Sequence, residues 1–266
     1  MPAKANTKEQ EPDKNKRAVC SVLYKKLFMK LTYIYHSCFA LETPAYSILF
    51  DYYKDTKGKQ GYVHDILLQK PEPLYILSSH FHPDHFSREI FSWKEQKENI
   101  HYLLSKDILK HKKAMASEAT FLTKGDIYED ALIRIQAFGS TDVGVSFLLT
   151  CENKHIFHAG DLNNWHWKDE STEQEVKEAE GNFLHEIKIL KATCNNIDIA
   201  LFPVDPRIGS DFARGAEQFI QQIHVKQFIP MHFWEKPELT LPFGTYAQEK
   251  GVSFNLLQQP GESLDI

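Results

Sequence analysis

Ser79-His80-Phe81-His82-Pro83-Asp84-His85 places three histidines and an aspartate directly after the apolar run PLYILSSH. His80 and His82 are two residues apart, so on an extended chain they face the same side. Pro83 cannot continue a strand ladder, which ends the strand and turns the chain. Asp84 and His85 then stand at the entrance to a segment whose Phe86, Ile90, Phe91 and Trp93 have helical spacing. Candidate ligands therefore converge from a strand end and a helix start. Imidazole and carboxylate donors suit first-row divalent ions such as zinc, manganese or iron.

The chain has 266 residues, 42% hydrophobic and 25% charged, which excludes wholesale disorder and fibrous classes. A net charge of −5 carries no basic footprint for nucleic acid. No apolar run approaches the roughly 18–20 residues of a membrane span. Cys20, Cys38, Cys151 and Cys194 are dispersed, without a CxxC pair, so neither a disulfide framework nor a thiolate zinc cluster is expected. Residues 1–28 are polar and lysine-rich and are expected to form a disordered leader. Lys25 and Lys26 interrupt the apolar stretch that a secretory signal requires, so the protein is expected in the cytoplasm. A single domain is expected over residues 29–266.

From Met29 onward, strand and helix signals alternate. KLTYIYHSCFALET and AYSILFDYY read as two strands of a hairpin, and PLYILSSH as a short buried strand. HYLLS reads as a strand and KDILKHKKAM as a helix. ALIRIQAF, GVSFLLTC and HIFHA read as three strands broken at Gly139 and Gly144. The longest helix is expected over STEQEVKEAEGNFLHEIKILKAT, with Ser171 and Gln174 at the spacing of a capping box. IDIALFPV, then GAEQFIQQI, then KQFIPMHF read as strand, helix, strand. No internal repeat is visible. This order predicts an α+β arrangement of two sheets with helices packed outside, rather than one doubly wound sheet.

HFHPDH resembles the His-x-His-x-Asp-His signature of the metallo-β-lactamase superfamily. HIFHAGDLNNW resembles its strand-Gly-Asp segment, IPMHF its last strand-His segment, and ILFD the strand that ends on a supporting aspartate, here Asp51. YHSCF resembles the Gly-His-Ser opening of the ascorbate-6-phosphate-lactonase-like branch, with Tyr35 in place of the glycine. The resemblance implies a four-layer αββα sandwich. It also implies one or two divalent metal ions (zinc, manganese or iron), with His80, His82 and Asp142 on one, Asp84, His85 and His232 on the other, and Asp161 between them. Here the chain departs from the pattern: no histidine lies between His111 and His155, and Asp142 aligns with the histidine the family normally has. Either Asp142 fills that place, hardening the site toward manganese, iron or magnesium, or the place is empty or otherwise filled.

The activity implied is a metal-dependent hydrolase that uses a metal-bound hydroxide on an ester, lactone, amide or phosphodiester, with Asp84 as the catalytic carboxylate. The expected partner is a small molecule, anionic in the lactonase-like case, with neither nucleic acid nor membrane involved. The alternative is a non-hydrolytic di-iron sensor or redox-binding protein on the same scaffold. A nuclease is disfavoured, because the stretch from Asp161 to His232 is too short for a large inserted domain. Around these ligands, His36 reaches the site or holds the hairpin, and His158 lies behind the ligands or merely faces along its strand. Trp165, His166 and Trp167 wall the pocket or form a packed loop. Arg207 or Arg214 binds an anionic group, or Asp205 and Arg207 form a structural ion pair. His64, His101, His111, His155, His185 and His224 are read as ordinary surface or packing residues.

Overall fold

The first sheet is built on short strands whose two faces are both apolar. It comprises β1 (Lys30–Tyr35), β2 (Cys38–Glu42), β3 (Ser47–Phe50), β4 (Leu74–Ser78), β5 (Ile100–Ser105), β6 (Thr120–Leu122) and β14 (Ser263–Asp265), in the order β14-β1-β2-β3-β4-β5-β6. The second holds β7 (Ile127–Glu129), β8 (Arg134–Phe138), β9 (Ser146–Cys151), β10 (Lys154–His158), β11 (Asn196–Pro203), β12 (His224–Met231) and β13 (Ser253–Phe254), in the order β13-β12-β11-β10-β9-β8-β7. This computed structural model describes residues 29–57 and 61–266. The leader expected over residues 1–28 lies outside the described residues.

Strand alternation sorts side chains into two cores. Ile48 and Phe50 of β3 and Tyr75 and Leu77 of β4 join Ile135, Phe147 and Leu149 of the second sheet in the core between the sheets. Leu49 and Ile76 join Val63, Leu67, Ile90 and Trp93, which belong to the short helical turns on the outer face. The other outer face is covered by α2 (Glu173–Thr193), α3 (Arg214–Gln222) and α4 (Leu241–Glu249). There Phe183, Phe219 and Phe243 pack on Phe202 and Phe228, with Phe202 stacked 4.5 Å from Phe219. The αββα sandwich is thus the observed architecture.

Each sheet carries three antiparallel pairings followed by three parallel ones. The topology therefore repeats although the sequence does not. Asp51 follows β3, Ser79 follows β4, Asp161 lies just past β10, Asp205 just past β11, and His232 directly follows β12. These are the carboxyl ends of strands, where open sheets place their sites.

Four local expectations are corrected. The anticipated hairpin is three strands, because His36 and Ser37 form a tight turn between β1 and β2; His36 has φ 57°, and its amide donates to the Tyr33 hydroxyl at 2.9 Å. The segment after Phe86 winds as a 3-10 helix over Arg88–Glu95, capped by the Ser87 hydroxyl. The lysine-rich helix is only α1 (Lys106–Lys110), ending before Lys112 at φ 58°. The capping box of α2 is Thr172 with Glu175, one residue later than Ser171 with Gln174; both reciprocal bonds of the motif form there. Among the described residues, no helix is long and apolar enough to cross a membrane.

Candidate metal centre

Asp161 is the pivot. Its Oδ1 lies 3.2 Å from His85 Nε2 and 3.3 Å from His232 Nε2, while its Oδ2 lies 3.5 Å from His80 Nε2. On one side, Asp84 Oδ2 stands 3.8 Å from His85 Nε2 and 3.9 Å from His232 Nε2. On the other, His82 Nδ1 stands 3.4 Å from Asp142 Oδ2. Two donor clusters result: His36, Asp84, His85 and His232, and His80, His82, Asp142 and Asp161.

The Nε2 atoms of His80, His85 and His232 and Oδ1 of Asp161 are buried without a hydrogen-bond partner. Each Nε2 lies within ion-pair distance of an Asp161 carboxylate oxygen without forming a hydrogen bond to it. Atoms so placed aim at shared points between them. Ligands at about 2.0–2.2 Å around a tetrahedral ion stand roughly 3.3–3.6 Å apart, and most of the separations above fall in or near that range. The donor set fits one divalent ion on each side of Asp161.

Outer hydrogen bonds fix which ring nitrogen is free. Asp51, fully buried, accepts from Ser79 N at 2.6 Å, Ser79 Oγ at 2.6 Å and His85 Nδ1 at 2.7 Å. Ser79 Oγ, having donated its proton to Asp51, accepts from His80 Nδ1 at 2.9 Å. Asp205 accepts from His232 Nδ1 at 2.9 Å and from Arg207. All three imidazoles thus hold a proton on Nδ1 and turn Nε2 inward, the carboxylate–histidine pattern of ligating histidines. The backbone is pinned there as well: Asp51 and His232 adopt φ 44° and 60°. Gly144 (φ 77°) lets the chain pass where a Cβ would stand 2.0 Å from the Ser79 carbonyl and 2.6 Å from His80 Cβ.

The electrostatics call for positive charge at the pivot. Burial would raise the Asp161 carboxyl, but His85, His232 and His80 outweigh it and hold it well below the ordinary carboxylate range. Burial disfavours a charged His85, yet Asp161 and Asp51 prevail and raise it well above the usual imidazole value. Burial pushes His80 down to about 3, with His85 adding to the effect, and His36 down to about 4, with His232 adding. Asp142 is raised by burial and by the charge of Asp161.

An open cleft of about 570 Å³ lies over these donors, and Asp84, Asp142, Asp161 and His232 form its floor. The structure brings together all seven residues that the sequence nominates as ligands. His36 joins them, with Nε2 3.3 Å from Asp84 Oδ2 and its ring 4.1 Å from that of His232. His158 does not reach the cleft. It stacks on Phe50 at 4.9 Å, donates from Nε2 to the Ser37 carbonyl at 2.9 Å and accepts from Gly160 N at 3.2 Å. Asp51 likewise lies behind the ligands. Trp165 and Trp167 line the cleft, whereas His166 turns inward and bonds the Asn164 carbonyl. Arg207 lines the cleft and is ion-paired to Asp205; Arg214 is held by Glu180 at 2.7 Å, away from the cleft. Sequence reasoning missed Ser79 and the support Asp205 gives His232. It also missed Tyr53 and Trp234 in the cleft wall, for which the chain offers no local signal.

Comparison with known proteins gives a consistent picture. The beta-lactamase superfamily domain matches residues 30–232. A metal-dependent hydrolase of Desulforamulus reducens is 27% identical over 259 residues, spanning 90% of this chain and 100% of the relative. The structure of Igni18, a metallo hydrolase from Ignicoccus hospitalis, superposes with TM-score 0.65 at 16% identity, covering 90% of this chain and 98% of that one. CmlA, a diiron β-hydroxylase from Streptomyces venezuelae, superposes with TM-score 0.62 at 12% identity, covering 90% of this chain and 54% of that one.

Proposed function

The chain belongs to the beta-lactamase superfamily, and on that premise we propose that it is a metal-dependent hydrolase holding two divalent ions, one on each side of Asp161. The observation that carries this reading is the set of buried, unpartnered atoms: Nε2 of His80, His85 and His232 with Oδ1 of Asp161. His80, His82 and Asp142 would hold one ion, and Asp84, His85 and His232 the other. Asp142 in place of an imidazole hardens the first site, so manganese or iron competes with zinc there. Bound ions of this kind lower the pKa of water to about 7 and polarise the oxygen of a scissile carbonyl or phosphoryl group.

The chain's own residues supply the rest. Burial opposes ionisation of Asp84, but His36 and the neighbouring His85 and His232 hold it well below the ordinary carboxylate range. It is therefore a carboxylate at neutral pH. Its Oδ2 faces the cleft 3.3 Å from His36 Nε2, placed to accept a hydrogen bond from an attacking water and orient it. Arg207 uses Nε and one terminal nitrogen on Asp205, leaving its remaining edge for an anionic group of the substrate. The cleft presents three carboxylates and one arginine. That lining suits a small ester, lactone, amide or phosphodiester and offers no basic track for nucleic acid. The free thiols of Cys38, Cys151 and Cys194 support a reducing, cytoplasmic setting.

The test is elemental analysis of the purified protein together with turnover of bis(p-nitrophenyl) phosphate and a lactone panel, before and after chelation. Hydrolysis that is lost on chelation, restored by a divalent metal and absent in His80→Ala supports the reading. Hydrolysis that survives both treatments overturns it. The carboxylate-rich donor set also favours a second reading, a non-hydrolytic di-iron redox or sensor protein. Bound iron with no turnover across the panel would select it.

A further inference from the structure

Three of the chain's four tryptophans, Trp165, Trp167 and Trp234, line the cleft over the donors. We infer that this cleft binds a substrate carrying a planar aromatic ring, seated against these tryptophans beside the bond to be cleaved. The inference rests on the hydrolase reading above and adds the chemical class of substrate.

The walls are placed around the reacting point. Trp165 meets His232 edge-on at 5.7 Å between ring centroids, and Trp234 meets it at 6.0 Å, so the two indoles flank the same histidine. Trp165 is fixed by its Nε1 donating to the Asp161 carbonyl at 2.7 Å. Trp167 continues the same wall, nearly parallel to Trp165 at 6.3 Å and 18°. Trp167 and Trp234 have φ 41° and 49°, a left-handed backbone that bulky residues rarely adopt. The fold maintains that strain at both positions and so directs both indoles into the cleft instead of the core.

A cationic ligand fits the walls less well. A quaternary ammonium would meet Arg207, whose guanidinium lies 4.7 Å over the Trp234 ring. A flat aromatic group needs only ring surface to pack on, which Trp165 and Trp167 supply, while Trp234 already carries the Arg207 guanidinium over one face.

The experiment compares p-nitrophenyl phenylacetate with p-nitrophenyl cyclohexylacetate, which share a leaving group and differ in ring aromaticity. Indole N–H NMR signals are followed in parallel during titration with phenylacetate and with cyclohexylacetate. We expect kcat/KM to favour the phenyl ester about tenfold, from two aromatic contacts. We also expect phenylacetate to shift three indole signals and leave that of the core residue Trp93 still. Trp167→Leu and Trp234→Leu should reduce the preference to within about twofold, and Trp167→Phe and Trp234→Phe should retain most of it. Equal kcat/KM for the two esters with equal indole shifts would overturn the inference, as would a preference unchanged in both leucine variants. If neither ester is hydrolysed but phenylacetate alone shifts the three indoles, the aromatic site stands and the hydrolase reading is decided by the phosphodiester and lactone panel.

Discussion

Asp51→Asn alters a side chain that lies behind the ligands, yet it should disable both sides of the metal centre at once. Asp51 Oδ1 takes the Ser79 amide, while Oδ2 takes both Ser79 Oγ and His85 Nδ1. With an amide oxygen kept toward the Ser79 backbone, the amide NH2 faces two donors. His85 relieves the clash by moving its proton to Nε2, where it points at Asp161. Ser79 relieves it by turning its hydroxyl toward His80 Nδ1, which shifts that ring's proton to Nε2 too. Each histidine then presents a proton where a lone pair is needed, one in each donor cluster. Loss of one such outer partner costs about 10–100-fold in metal affinity, so both ions should weaken by that factor, roughly 1.4–2.7 kcal/mol each. Competition with a chromophoric chelator measures each affinity, with circular dichroism and thermal melting as controls for folding. A folded Asp51→Asn protein that binds both ions as tightly as the parent would refute this reasoning.

Asp205→Asn supports only His232, so the same titration should show one ion weakened about 10–100-fold and the other unchanged. Gly144→Ala forces a Cβ to within 2.0 Å of the Ser79 carbonyl at a left-handed backbone. It should lower both the urea midpoint and the affinity of the ion held by His80, whereas Gly181→Ala, where a Cβ meets nothing within 4 Å, should leave metal affinity intact. Phe202→Ala opens the stack formed with Phe183, Phe219 and Phe228. It should cost about 3–5 kcal/mol by urea denaturation while leaving the donors in place. Chelator-treated protein should melt at a lower temperature than the metal-loaded form, the gap growing with free metal concentration; identical melting curves would oppose this.

The candidate ligands were largely legible in the chain because four of them, His80, His82, Asp84 and His85, share one short, specific spacing at a strand end, and Asp161 follows a strand and a glycine. His232 was legible from its place after an apolar strand. The roles of Ser79 and of Asp205 toward His232 were not, because each acts through a partner 27 or 28 residues distant in sequence. His36 and His158 look alike in sequence. A tight turn carries the first to the cleft, and a stack on Phe50 holds the second beneath it. The sheets were legible where apolar runs rich in aromatic and β-branched residues are long. Strands of two or three residues, such as β6, β7, β13 and β14, carry too little pattern. The capping box slipped by one residue because Ser171-x-x-Gln174 and Thr172-x-x-Glu175 satisfy the same rule.

The central claim, two ions divided by Asp161, is tested most directly by anomalous diffraction across the zinc, iron and manganese edges on crystals of the purified protein. The account predicts two anomalous peaks per chain. One is enclosed by His80, His82, Asp142 and Asp161, the other by Asp84, His85, His232 and Asp161. No peak at either position, or a single peak that leaves Asp161 uncoordinated, would contradict it.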